Sequence, residues 1–281
     1  MAGLRRYLAF TRNSFARILS YRATVLMYVL GGMTQPLILF FLWRAVFAGA
    51  GAAEGGTAAG GAAGTVINGF SFPQMVGYLL FTVLAGSLIY GNADEVIANE
   101  VMDGSIAMNL ARPLDYRRRI FFDHLGEVLY NFIAIGLPAL ALVFVVLGSA
   151  GRFPSAANLA LGALSLAMAF FLNFYYRFSL GLMAMVTTNM WGLTRLEAVV
   201  ANFLSGALIP LAFFPVWARE AVQFLPYASL VYAPAMAFLG MLRGAELLRL
   251  LAVQAAWVLA FRALSGAAWR GLTRRLAING G

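Results

Sequence analysis

"FFPVWAREAVQFLPYASLVYAPAMAFLGMLRG" occupies residues 213–244, and its folding decides the architecture. It is apolar enough to cross a bilayer, yet Pro215, Pro226 and Pro234 interrupt it. Each interior proline removes a backbone donor and costs a helix about 3 kcal/mol. The stretch is therefore expected to form two short helices over 215–242 that dip into the outer leaflet and return. It would be a re-entrant pair rather than a span.

The surrounding chain fixes the solvent. Of 281 residues, 62% are hydrophobic and 11% charged, with a mean hydropathy of +0.81. Soluble domains run at about 45–50% apolar and about 25% charged. The composition predicts an all-α, polytopic membrane protein with one domain over 1–281. Outward from the proline-rich stretch, apolar runs predict spans at 198–214 and 247–266 on either side, and at 158–186, 127–148, 73–90 and 23–43 further upstream. Pro36 and Pro138 are expected to kink their helices. A polar turn, "TTNMWGLTRLE", fills 187–197.

Residues 3–21 are amphipathic, with Leu4, Tyr7, Leu8, Phe15, Ile18 and Leu19 on one face and Arg5, Arg6, Arg12 and Arg17 on the other. Such a helix is expected to lie in the membrane interface. The Gly/Ala-rich tract over 48–65 fits no motif and reads as a linker in an outer loop.

Arginine counting tests the six-span choice. With a cytoplasmic N-terminus, six spans place fourteen arginines inside and five outside, leaving Arg177 uncounted. Promoting 215–242 to a seventh span gives twelve inside and seven outside. Six spans fit the positive-inside rule better and put both termini in the cytoplasm.

In that topology 91–126 is the longest cytoplasmic connection. Seven of the eleven acidic residues fall between Asp94 and Glu127. Within "NEVMDGSIAMNLARPLDYRRR" (99–119), Gly104 allows a sharp change of direction and Ser105 can cap a new helix. "SIAMNLA" supplies one or two turns, and Arg112-Pro113 stops them, because the residue before proline avoids the α region. A short, stopped helix between two long ones makes a lever. An ordinary solvated loop carrying positive-inside arginines is the competing account.

Several chemistries are excluded by what is missing. All twenty basic residues are arginine, so the chain has no P-loop lysine and no lysine for a Schiff base. With no cysteine and His124 as the single histidine, no cysteine or multi-histidine metal site can form. If ATP drives this protein, another polypeptide hydrolyses it. The net charge of +9 reflects arginines at the ends of apolar runs, which points to a lipid bilayer and not to nucleic acid. Arg177, late in the 158–186 run, either snorkels to the inner headgroups or faces a cavity. Asn173 and Arg177 are the candidate pathway residues, although intramembrane amides more often hydrogen-bond neighbouring helices.

The order of parts resembles a permease subunit of the type-2 ABC exporter family. "E…DGSIAMNLARPLDY" is similar to that family's coupling segment, in which Gly-Ser or Gly-Thr precedes a leucine and then "RPL". "LSGALIPLAFFPVWAREAVQFLPYASLVYAPAMAFLG" resembles its pattern before the last span. The resemblance implies a coupling role for Glu100, Asp103, Gly104, Ser105, Leu110, Arg112 and Pro113. It implies an outer-gate role for Ser205, Gly206, Pro210, Pro215, Pro226 and Pro234. It further implies a second permease chain, identical or related, and a separate cytoplasmic ATP-binding-cassette subunit carrying ATP and Mg. Neither a catalytic residue nor a cofactor is expected in this chain. Export of a hydrophobic, amphipathic or drug-like compound, a lipid or a peptide is likewise what the family implies. An ion-coupled or facilitative carrier is the alternative, weakened because no acidic residue falls near the middle of an expected span.

Overall fold

A computed structural model describes residues 2–20, 22–53, 65–89, 91–151, 153–187 and 190–279. Its elements are α1 (Ala2–Ser20), α2 (Arg22–Ala53), a two-stranded hairpin of β1 (Val66–Ile67) and β2 (Phe70–Ser71), α3 (Phe72–Ile89), α4 (Ala93–Met102), α5 (Ser105–Ala111) and α6 (Tyr116–Asn131). A π-helical turn, Phe132–Gly136, joins α6 to α7 (Leu137–Ser149). Then follow α8 (Ala156–Leu182), α9 (Met190–Leu204), α10 (Val216–Gln223), α11 (Tyr232–Leu239) and α12 (Gly244–Asn279).

Among the described residues, five stretches are long and apolar enough to cross a membrane: Thr34–Ala52, Phe72–Met102, Tyr116–Ser149, Ala156–Met185 and Gly244–Thr273. Together with the helical content they describe an all-α membrane protein. The expected span at 198–214 needs correction. Its helix, α9, starts inside the expected polar turn and ends at Leu204, leaving 15 residues, or roughly 22 Å. Hydrocarbon is about 30 Å thick, so α9 alone does not reach across it. Beyond it the chain turns at Gly206, with φ of +82°, and Pro210 leads into a single 3-10 turn, Leu211–Phe213.

The stretch at 213–244 resolves into two eight-residue helices. Pro215 stands immediately before α10 and Pro234 in the first turn of α11, where a missing N–H leaves no intrahelical bond unmade. Pro226 lies in the turn between them, its carbonyl accepting from the Ser229 amide at 3.2 Å.

Helix α8 is the mast of the fold. Near its N-terminus Gly162 lies against α11, where an added Cβ would come within 2.8 Å of Phe238 Cβ. Near its C-terminus Gly181 lies against α4, where an added Cβ would come within 3.0 Å of Asp94 Cα. The molecule thus has two ends. One carries α4, α5, the start of α6 and the end of α12, held by the Tyr116–Trp269 stack (4.9 Å) and a 3.2 Å bond from Arg117 to Ser265. Helix α1 joins this end by packing on α6. The other end carries the hairpin, α11 and the 211–213 turn, with Phe213 near Trp43 (4.6 Å) and Phe70 (5.9 Å).

Three further expectations shift. Helix α1 covers α6 through Tyr7, Thr11 and Ser14, while Leu8 and Leu19, expected on the apolar face, stay exposed. The Thr11 hydroxyl donates to the Phe122 carbonyl at 2.7 Å, and Gly126 admits the Thr11 backbone so closely that a Cβ would collide with it. Helix α2 continues to Ala53 and takes in the start of the Gly/Ala tract, of which 54–64 lies outside the described residues. Pro138 follows a π turn, a local widening that relieves the clash of its ring with the preceding turn.

Candidate functional site: a charged linkage between the short helices and the spans

Helix α5 owes its limits to its flanks. Gly104 adopts φ of +76°, a left-handed conformation that favours glycine, and Arg112 is extended at ψ of 144° before Pro113. The cap differs from the expected one. Ser105 is the first helical residue, and its amide donates to the Asp103 carboxylate at 2.8 Å. The Ser105 hydroxyl and amide together hold the exposed Asp103 carboxyl below its ordinary pKa. Ile106 is buried and Leu110 half-buried against Tyr116, Ile120 and Phe178, whereas Met102 and Met108 are 70% and 67% exposed.

Glu100 anchors this unit. Its carboxylate pairs with Arg119 (2.5 Å) and accepts from the Tyr116 hydroxyl (2.8 Å), both on α6. Immediately before α4, the backbone and side chain of Asn92 donate to the Glu127 carboxylate at 3.1 and 2.8 Å. Helices α4 and α5 are therefore fastened to α6 at two points.

A third attachment reaches deeper. Arg177 on α8 pairs with Asp94 on α4 at 3.0 Å and approaches Glu197 on α9 at 3.6 Å. All three side chains are largely buried, with 14%, 2% and 6% of their surface exposed. Beside it on α8, the Tyr176 hydroxyl stands 3.3 Å from that of Tyr227, in the turn between α10 and α11. A continuous set of polar groups thus runs from α4 through α8 and α9 to the proline-rich segment. Arg177 also borders a cavity of about 210 Å³ between α4 and α9, with Asn92, Glu95 and Thr194.

Sequence reasoning placed Glu197 in a polar turn and passed over Asp94 as a pathway partner. An arginine inside an apolar run demands a counter-charge, and that demand was the available signal. Asn173, in contrast, is buried and donates its amide to the Ile89 carbonyl, an interhelical clamp between α8 and α3.

At the other end, Ser205 is fully buried and its carbonyl accepts from the Tyr232 amide at 3.0 Å. The Gly206 carbonyl accepts from the Tyr78 hydroxyl at 2.8 Å. Non-helical backbone at membrane depth needs such partners. Buried Gln254 of α12 pins the turn after α10 by donating to the Ser229 and Ser165 carbonyls, each at 2.8 Å. Residues 205, 206, 210, 215, 226 and 234 thus belong to one packed segment, whereas Glu100 to Pro113 lie at the opposite end. Among the described residues no cluster of His, Asp and Glu is arranged to hold a metal.

A short helix, α4, is thus clamped through Glu100 and Asp94 beside a set of long apolar helices. Comparison with known families decides what kind of protein this is, since the profile described as ABC-2 family transporter protein matches residues 62–280. The chain belongs to the ABC-2 transporter family. It is a multi-pass membrane protein and the permease component of an ABC transporter, a component distinct from the ATPase. No individual curated protein matches it. The family match takes in α3 to α12 and the hairpin, and so both ends of the charged linkage.

Proposed function

We propose that this permease pairs with a second permease chain, identical or related, and that each is driven by a separate ATP-binding-cassette subunit docked on α4 and α5. Closure of that subunit on ATP and Mg would push the short helices, and the attachments at Glu100, Asn92 and Asp94 would carry the displacement into α6, α8 and α9. The observation that carries this proposal is the Asp94–Arg177–Glu197 set, which ties the exposed short helices to two separate helices by charge. Met102 and Met108 supply an uncovered, adaptable face for the driving subunit.

The path across the bilayer has six passes in this proposal. Five are the long stretches, and the sixth is α9 continued by the turn at 205–214, with 215–242 re-entering from the outer side. The end bearing α1 and α5 also bears Arg112, Arg117, Arg118 and Arg119, which the positive-inside rule assigns to the cytoplasm, together with both termini. Outward transport of a hydrophobic, amphipathic or drug-like compound, a lipid or a peptide rests on the family resemblance.

The test uses the absence of native cysteine. A cysteine placed at Met108 should cross-link to an ATP-hydrolysing subunit when the tagged chain is isolated from its native membrane. Recovery of no ATPase activity with the tagged chain, or cross-linking only from the outer face, would refute the proposal.

A further inference from the structure

A second cavity, which shares only Asn202 with the one that Arg177 borders, lies among α2, α3, α6 with its π turn, and α9. It has a volume of about 190 Å³. Five polar side chains border it: Gln35, Thr82, Ser87, Asn131 and Asn202. The others lining it are apolar or glycine, and no lining residue carries a charge.

The polar groups differ in how far they are spent. Thr82 and Ser87 donate to carbonyls in their own helix, Leu79 and Leu84, at 2.7 Å each. Their oxygens keep lone pairs that can accept. The side-chain amides of Gln35, Asn131 and Asn202 hydrogen-bond to no other described residue. Three uncommitted amides from three helices, one of them on the 7%-exposed Asn131, line the recess and are open to a hydrogen-bonding guest. The helix-to-helix bond expected of such amides is made by Asn173 and not by these three.

The cavity is not closed. Gln35 is exposed, and Ile38 and Leu42, one and two turns further on the same side of α2, are uncovered. On α9, Val199 and Phe203 flank Asn202 and are 68% and 47% exposed. A polar recess therefore opens between two bare apolar strips.

We infer that this recess is a subsite for the transported compound and that it takes an uncharged, hydrogen-bonding head, such as a hydroxyl- or amide-bearing group on an apolar tail. Amides both donate and accept, so they satisfy neutral polyol or amide groups in either sense. A charged head would surrender its hydration and find no counter-charge there. The volume is below the roughly 300–1,000 Å³ of a drug-sized site. It suits a small head, with the tail along the apolar strips of α2 and α9. The inference rests on the chain being a permease, and it narrows the substrate class from among hydrophobic, amphipathic, lipid and peptide candidates.

The experiment keeps the full chain in lipid nanodiscs with one engineered cysteine, Thr82→Cys, and follows its labelling by a maleimide. Three probes with equal ten-carbon tails compete: decanoyl-N-methylglucamide (neutral), decyltrimethylammonium and decyl sulfate. The neutral probe should protect the cysteine at concentrations at least about tenfold below either ionic one. Replacing both Asn131→Leu and Asn202→Leu should raise its half-protecting concentration about tenfold, the loss of one or two net hydrogen bonds. Asn202→Asp should shift the preference toward the ammonium probe. Equal protection by all three probes, or an unchanged neutral preference in the double leucine variant, overturns the inference. So does a double leucine variant that loses chain pairing by native mass spectrometry while its protection is unaltered, since the amides would then serve the partner chain. Co-isolation of ATPase activity with the tagged wild-type chain, measured from native membrane, separates the two failures. If it persists while probe selectivity is absent, the subsite is wrong and the permease stands.

Discussion

Arg177 Nη1 stands 3.0 Å from Asp94 Oδ2, and the same nitrogen is 3.6 Å from Glu197 Oε2, so one buried guanidinium serves carboxylates on two helices. The arrangement is asymmetric under mutation. Removing Arg177 leaves two buried carboxylates without their cation, whereas removing either carboxylate leaves the arginine one partner. Arg177→Met should therefore lower stability by roughly 3–5 kcal/mol, the range for breaking a buried pair. Asp94→Asn and Glu197→Gln should each cost clearly less. Thermal unfolding of the three variants in one detergent gives the order. An Arg177→Met midpoint above that of Asp94→Asn contradicts it.

Packing of α1 on α6 depends on Gly126, which meets the Thr11 backbone and, at 2.9 Å from an added Cβ, the Ser14 side chain. A backbone carbonyl cannot move aside as a flexible side chain can. Gly126→Val should push α1 away and expose the buried Ser14. A single cysteine at Ser14 should then react with a water-soluble maleimide several-fold faster than in the Gly126 background. Unchanged reactivity would mean that α1 holds its place by other contacts.

The Asp103 carboxylate gives α5 a pH-dependent start. Its pKa is held below the ordinary carboxylate value, so it contributes order above the unfolded value and loses it as pH falls through the folded one. The protection factor of the Ser105 amide should fall on acidification below about pH 4, and Asp103→Ala should show the lower protection already at neutral pH. Protection insensitive to both changes would remove Asp103 from the role of cap.

Topology is open to direct labelling because the chain contains no cysteine. A cysteine at Ser149, exposed at the end of α7, should react from outside, and one at Ser105 from the cytoplasm. The reverse pattern inverts the orientation.

Much of the architecture was legible where a residue's own stereochemistry dictates the backbone. Gly104 and Pro113 bracket α5 because one permits a left-handed turn and the other forbids the preceding residue a helical one. The prolines at 215, 226 and 234 likewise announced two short helices in place of one span. The hairpin at 66–71 was missed although Asn68-Gly69, both at positive φ, is the strongest two-residue turn signal. The fifth apolar run was misplaced for a different reason. Helix α9 begins at Met190 and takes in Thr194 and Arg195, polar enough to look like a turn, and its Glu197 meets Arg177 from a helix distant in sequence. Contacts of that kind leave no local trace. For the same reason the sequence could nominate Arg177 but not its partners, and it could not tell the clamped Asn173 from the uncommitted Asn131.

The π turn at Phe132–Gly136 adds one residue to the winding between α6 and α7. That insertion rotates everything after it by roughly 100° relative to an uninterrupted helix. Deleting one residue from this turn would restore ideal winding and yet swing Ala139, Val143 and Leu147 off α3, so the straighter helix would be the defective one.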